Sequence, residues 1–111
     1  MTDRYTVTAA RRAIADAADG EYGVLLRHGT LELGYYAPPG RDAQTPHEQD
    51  EIYIVQSGSG MFCLGDSRQP FETGEALFVP AGTVHRFEDF TSDFAAWVVF
   101  YGPPGGEPGT E

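Results

Sequence analysis

A single cysteine, Cys63, stands among 111 residues, so no disulfide forms within the chain. A lone thiol suits a reducing, cytoplasmic setting. No apolar run approaches the ~18 residues of a membrane span. The opening MTDRYTVTAARRAIADAADG carries early acidic residues and no apolar stretch, so it does not read as a secretory signal. Basic side chains are scarce, 7 against 17 acidic ones, giving a formal net charge of -10. A surface this acidic repels phosphate, which argues against nucleic acid and against anionic membrane surfaces. The charge itself reads as solubility rather than as the mark of one partner.

What is present suffices for one modest core: hydrophobic residues make up 41% and aromatics 13%, in a length that fits one domain. Ala10, Ala13, Ile14 and Ala17 recur at helical spacing. They predict one short helix from about Thr8, its N-cap, to Ala18, with Gly20 just past the end. Strand-forming runs follow: GVLLR, TLELGYYA, EIYIV, MFCLG, EALFV, HRFEDF and DFAAWVVFY. Between them lie the turn and loop sequences HG, PPGRDAQTP, SGSG, GDSRQP and PAGT. This spacing predicts an all-β barrel or sandwich. The division is a helix-bearing segment over 1–21, a barrel over 22–101 and a flexible Pro/Gly-rich tail over 102–111. AAWVVFY is apolar on both faces, so its outer face needs a cover, either the helix or a second subunit. With so small a domain, a homodimer is expected.

Two motifs carry the chemistry. His47, Glu51 and Gly58 form H-x-x-x-E-x-x-x-x-x-x-G, and Gly74, Pro80, Gly82 and His85 form G-x-x-x-x-x-P-x-G-x-x-H. Two imidazoles and a carboxylate are a ligand set for one divalent transition metal: iron, zinc, manganese or nickel. Pro46 and the strand that follows keep His47 and Glu51 off a common helix face. They read instead as a strand end, a tight turn and a strand start. Along the next strand Glu51, Tyr53 and Val55 share one face, while Asp50, Ile52 and Ile54 share the other. Phe87 shares the face of His85, and Tyr53 is the candidate catalytic base. Cys63 reads as a buried inert thiol, His28 as a turn residue, Trp97 as core, Arg86 as pointing away and the EQDE run as partly solvated.

The motifs resemble those of the cupin superfamily, in the form of small single-domain bacterial cupins with a cupin_2-like conserved barrel. The family's first motif is G-x-x-x-x-x-H-x-H, three or four residues, then E-x-x-x-x-x-x-G. The second is G-x-x-x-x-x-P-x-G-x-x-H-x-x-x-N. His47, Glu51 and Gly58 match the end of the first motif, and Gly74, Pro80, Gly82 and His85 match the second in register. The resemblance implies a double-stranded β-helix, or jelly roll, with a metal inside one end. Three departures stand out: Thr45 falls where the first histidine belongs, the opening glycine is displaced to Gly40, and Asp89 replaces the asparagine. The site then has three protein ligands, or Gln44 joins through its amide oxygen despite lying one residue off the inward register. The implied function is a metal-dependent enzyme on a small organic molecule, either a dioxygenase or a non-redox isomerase, lyase or cyclase. The alternative is a non-catalytic protein that holds metal or a small ligand. A sensory domain comes third, disfavoured by the acidic charge.

Overall fold

Thr6 starts the only helix found among the described residues, 4–42 and 44–109 of a computed structural model. Its hydroxyl accepts the Ala9 amide at 3.1 Å, and α1 runs Val7–Asp16. The expected cap, Thr8, lies inside the helix instead. Starting two residues earlier adds Val7 to the buried face, where it packs with Leu25, Ala37 and Trp97 around Ala10, Ile14, Tyr35 and Ala95. Ala17 turns extended, and the Gly20 amide bonds its carbonyl with Gly20 at φ 67°.

Eight strands follow: β1 (Tyr22–His28), β2 (Leu31–Tyr36), β3 (Asp50–Ser57), β4 (Ser59–Leu64), β5 (Ser67–Glu72), β6 (Ala76–Val79), β7 (His85–Glu88) and β8 (Ala95–Tyr101). They form two antiparallel sheets, ordered β1-β2-β8-β3-β6 and β5-β4-β7. The last strand threads between the second and the third, as a jelly roll requires. The expectation of an all-β jelly roll with one short helix holds. Of GDSRQP, expected as a turn, only Gly65 and Asp66 form one, and β5 begins at Ser67. Here Pro70 sits in β5, which pairs only with β4, and an edge strand tolerates the missing amide.

The two sheets close on Tyr36, Tyr53, Val55, Phe62, Phe71, Phe87, Phe94 and Val98. Phe87 lies at the centre, with ring centroids 4.6–5.3 Å from Tyr53, Phe62, Phe71 and Phe94. Full burial of such rings contributes about 1.5–3 kcal/mol each. The block fills the barrel beyond Tyr53 and leaves the Glu51 end of β3 for a site. The helix seats on the outer face because Gly23 is bare: a Cβ there would lie 2.6 Å from the Ala13 backbone. Helix packing thus covers Ala95 and Trp97 of β8, while Val99 stays half-buried.

Two expectations change. The tail folds back over its described part: the Gly105 amide bonds the Glu48 carbonyl at 2.7 Å, and the Glu107 amide bonds Asp50 Oδ2 at 2.9 Å. Residues 110–111 of that tail, like 1–3 of the opening segment, lie outside the described residues. Asp50 is buried rather than solvated, because its other oxygen accepts the Ala81 amide at 2.9 Å. Cys63 is half-buried, on β4 between its cross-strand partners Arg68 and Arg86.

Candidate metal centre

Glu51 is the second residue of β3, its side chain turned inward and only 1% exposed. Val79 and Phe100 flank it on the neighbouring strands. His85 opens β7, also buried. Its Nδ1 lies 2.9 Å from the Thr83 carbonyl oxygen, which can only accept. Nδ1 therefore carries the proton and Nε2 is left facing Glu51 Oε1 at 3.3 Å. His47 arrives from the loop before β3. Its Nε2 lies 4.0 Å from the same oxygen, and its ring rests edge-on to Phe100 at 4.8 Å. The Gly82 amide bonds the His47 carbonyl at 2.7 Å, so the turn of the second motif holds the first. One ligand atom from each of His47, Glu51 and His85 lies within 4.8 Å of the others.

Neither Glu51 oxygen completes a hydrogen bond, and neither does His85 Nε2, although all three atoms are buried. Such atoms cost free energy unless a partner is supplied. A divalent cation suits two imidazole nitrogens and a carboxylate, and bare donors converging on one point fit that partner. Burial pushes the His85 pKa down, but contact with Glu51, the Thr83 bond and the charges of Glu51 and Asp42 outweigh it, for a net rise. Burial, reinforced by the Glu51 charge, holds Tyr53 well above the ordinary phenol range. Its hydroxyl donates to Gln44 Oε1 at 2.8 Å.

Asp42 escaped sequence reasoning. It is buried, and its carboxylate accepts from Tyr36 Oη at 2.7 Å, the Gln44 amide nitrogens at 3.1 Å (backbone) and 2.9 Å (side chain), and the Phe87 backbone at 2.9 Å. One side chain ties the loop to β2 and to β7. A carboxylate only accepts, so the Gln44 side chain must turn its nitrogen to Asp42. The Oε1 end then faces Tyr53 and lies 3.4 Å from His47 Nε2. Gln44 is expected as a possible ligand one residue off the inward register, but residues 44–47 are not a strand, so alternation does not apply. Thr45, at the histidine position, is exposed. No local pattern marks Asp42, because Phe87 lies 45 residues away.

A cavity of about 380 Å³ opens above Gln44, His47 and Glu51, walled by Tyr22, Tyr36 and Phe100. The other weighed residues stay out of it. His28 is exposed at the end of β1, and Arg86 pairs with Glu88 at 2.7 Å. Trp97 stacks edge-on against Tyr35 beneath the helix.

A small jelly roll with this motif pair defines a class, and residues 31–101 match the Cupin domain family. The chain belongs to that family. It is 37% identical over 89 residues to the uncharacterized protein SCO3923 of Streptomyces coelicolor, a match covering 78% of this chain and 85% of that one. Among solved structures, a Cupin 2 conserved barrel domain protein from Salinispora arenicola superposes with a TM-score of 0.67. That pair is 21% identical over 92% of this chain and 89% of the other. A predicted oxalate decarboxylase from Thermotoga maritima gives 0.58 at 22% identity, over 72% of this chain and 77% of its own. At these identities the structural likeness concerns the fold. No helix among the described residues is long and apolar enough to cross a membrane.

Proposed function

We propose that His47, Glu51 and His85 hold one divalent transition metal at the base of the cavity, and that the protein is a metal-dependent enzyme acting on a small organic molecule there. One observation carries this: the buried oxygens of Glu51 and Nε2 of His85, none of which completes a hydrogen bond, converge beside a cavity of ligand size. Iron, zinc, manganese and nickel all suit the donors. When bound, such an ion polarises a substrate oxygen, or supports oxygen chemistry if it is iron. The chain's own residues do the rest. Thr83 keeps His85 in the tautomer that frees Nε2. Gln44 Oε1 is the candidate fourth donor, and Phe100, Val98 and Tyr22 give the cavity its apolar walls. Tyr53 is a proton donor to Gln44 rather than a free base.

That last contact favours the second reading, a protein that binds metal or a small ligand without turnover, because it removes the one base named from the sequence. Elemental analysis of protein purified without added metal, beside His47→Ala, Glu51→Ala and His85→Ala, tests the centre. One ion per chain in the parent and loss in each variant, with unchanged circular dichroism, is the expected result. Full metal content in all three variants would reject the site. Oxygen uptake by the iron-loaded protein with a panel of diketones, phenols and thiols separates the dioxygenase from the non-redox classes. The functional unit in this reading is a homodimer, supported by the apolar outer face of the larger sheet.

A further inference from the structure

Every charged side chain lining the cavity, His47 at its base aside, is a carboxylate: Asp19, Glu21, Glu32 and Glu51. The chain contains no lysine. The guanidinium of Arg27 bonds Glu32 Oε1 at 3.0 Å from a side chain 71% exposed, and it does not line the cavity. Glu32 is also held by the Tyr22 hydroxyl at 2.8 Å. Asp19 is fixed by two backbone amides, those of Glu21 at 2.9 Å and Tyr22 at 3.2 Å, both on Oδ1. The walls between this acidic rim and the base are the rings of Tyr22, Tyr36 and Phe100. At the base of the same space Glu51, 1% exposed, presents oxygens that complete no hydrogen bond.

We propose that this cavity takes a small amine, a molecule with an ammonium group at the rim and an oxygen donor at the base. The oxygen end rests on the metal-site reading above; the ammonium end rests on the rim alone. Carboxylates with low-dielectric walls attract cations and repel anions, and aromatic faces add cation–π attraction. The volume lies at the small end of ligand pockets, suited to roughly a dozen heavy atoms. A dianion such as oxalate would meet carboxylates at the rim with no lysine or arginine lining the walls. The substrate named for the Thermotoga maritima relative is therefore not the expected one here.

Three catechols of shared metal-binding end and different tail provide the test: dopamine, neutral 4-methylcatechol and 3,4-dihydroxyphenylacetate. Their affinities for the full, zinc-loaded chain are measured by titration calorimetry at low salt. Dopamine should bind about tenfold more tightly than 4-methylcatechol, and the acid more weakly than either. In Asp19→Asn/Glu21→Gln the dopamine advantage should shrink to within about twofold, with 4-methylcatechol unchanged. The asparagine side chain keeps an oxygen to accept the two amides, so the turn survives. Should the double variant misfold, the parent's dopamine advantage must still fall several-fold when salt is raised from about 20 to 500 mM. Equal or tighter binding of the acid, or an advantage indifferent to both variant and salt, would overturn the proposal. Zinc content is read in the same samples. If no zinc is held, the metal reading fails by itself, and phenethylamine against 3-phenylpropionate on the metal-free protein still decides the rim. The amine should win, and parity would sink the idea.

Discussion

The Asp42 carboxylate sets the orientation of the Gln44 amide and, through it, what the ligand cluster meets on its open side. Asparagine in its place could present either an oxygen or a nitrogen, and the constraint on Gln44 would vanish. Asp42→Asn should weaken zinc binding by roughly tenfold, as loss of an outer partner does at other metal sites. It should also lower stability by about 1–3 kcal/mol, since Tyr36 and the Phe87 amide lose a charged acceptor. Chelator competition and thermal melts measure the two effects separately. The histidines add a pH dependence. Burial alone would lower the His85 pKa, but Glu51 and Thr83 outweigh it and the net shift is upward. In the metal-free protein that residue therefore stabilises the fold fully below its unfolded value near ~6.5, and the contribution is lost as pH rises through the folded value. Zinc competes with the same proton, so its stabilisation runs the other way, growing as pH rises. The increase in Tm on adding zinc should be larger at pH 8 than at pH 6. An equal increase at both would remove His85 from the ligand set. Asp89 shows how a motif position becomes legible in physical terms. It stands where cupins carry asparagine, and its φ is 50°, the left-handed region that Asn and Asp tolerate among residues with side chains. The departure from the family pattern is thus conservative for the backbone, and the carboxylate gains Arg68 at 2.8 Å.

At the scale of elements, strand alternation carried most of the site. Glu51, Tyr53 and Val55 were expected on one face of β3 and His85 with Phe87 on one face of β7, and all five are buried. Periodicity works there because both strands have one face on a core. It fails where the backbone is irregular. Residues 44–47 obey no alternation, so Gln44 rather than Thr45 reaches the cluster. Pro70 hid β5, since whether a strand is an edge depends on topology, which no local run of residues contains. The tail was hidden for the same reason: its partners, Glu48 and Asp50, lie more than fifty residues upstream in sequence, and Pro/Gly composition reads as disorder without them. Asp50 clamps two elements at once, the turn at Ala81 and the tail at Glu107. Asp50→Ala should release both, with a loss of about 2 kcal/mol. Amide hydrogen exchange should quicken at Ala81 and Glu107 while the β4 amides keep their protection. Unchanged exchange at Glu107 would mean the tail is held by other contacts.

For the whole molecule, the outer face of the larger sheet is the unfinished part. Leu26, Leu33, Val99, Ile52 and Phe78 are cross-strand neighbours in turn, one from each strand in the order β1-β2-β8-β3-β6. With strands about 4.8 Å apart, they make an apolar stripe roughly 19 Å long. Phe78 is 49% exposed at one end, and Ile54, one pleat along, is 39% exposed. The helix covers the neighbouring row through Tyr35 and Trp97 but leaves this one. A stripe that crosses an entire sheet exceeds the scattered apolar contacts normal for a monomer surface. A second copy of the same stripe is its simplest cover, because a two-fold axis brings a patch against itself. The protein should therefore run as a dimer, about twice 12.1 kDa, in light scattering at micromolar concentration. Phe78→Asp should shift it to monomer, since burying that carboxylate unpaired opposes association. The substitution lies on the opposite face of the sheet from Glu51, so zinc content should not change. A parent protein that scatters only as a 12.1 kDa species would leave the stripe without its partner and reject the dimer.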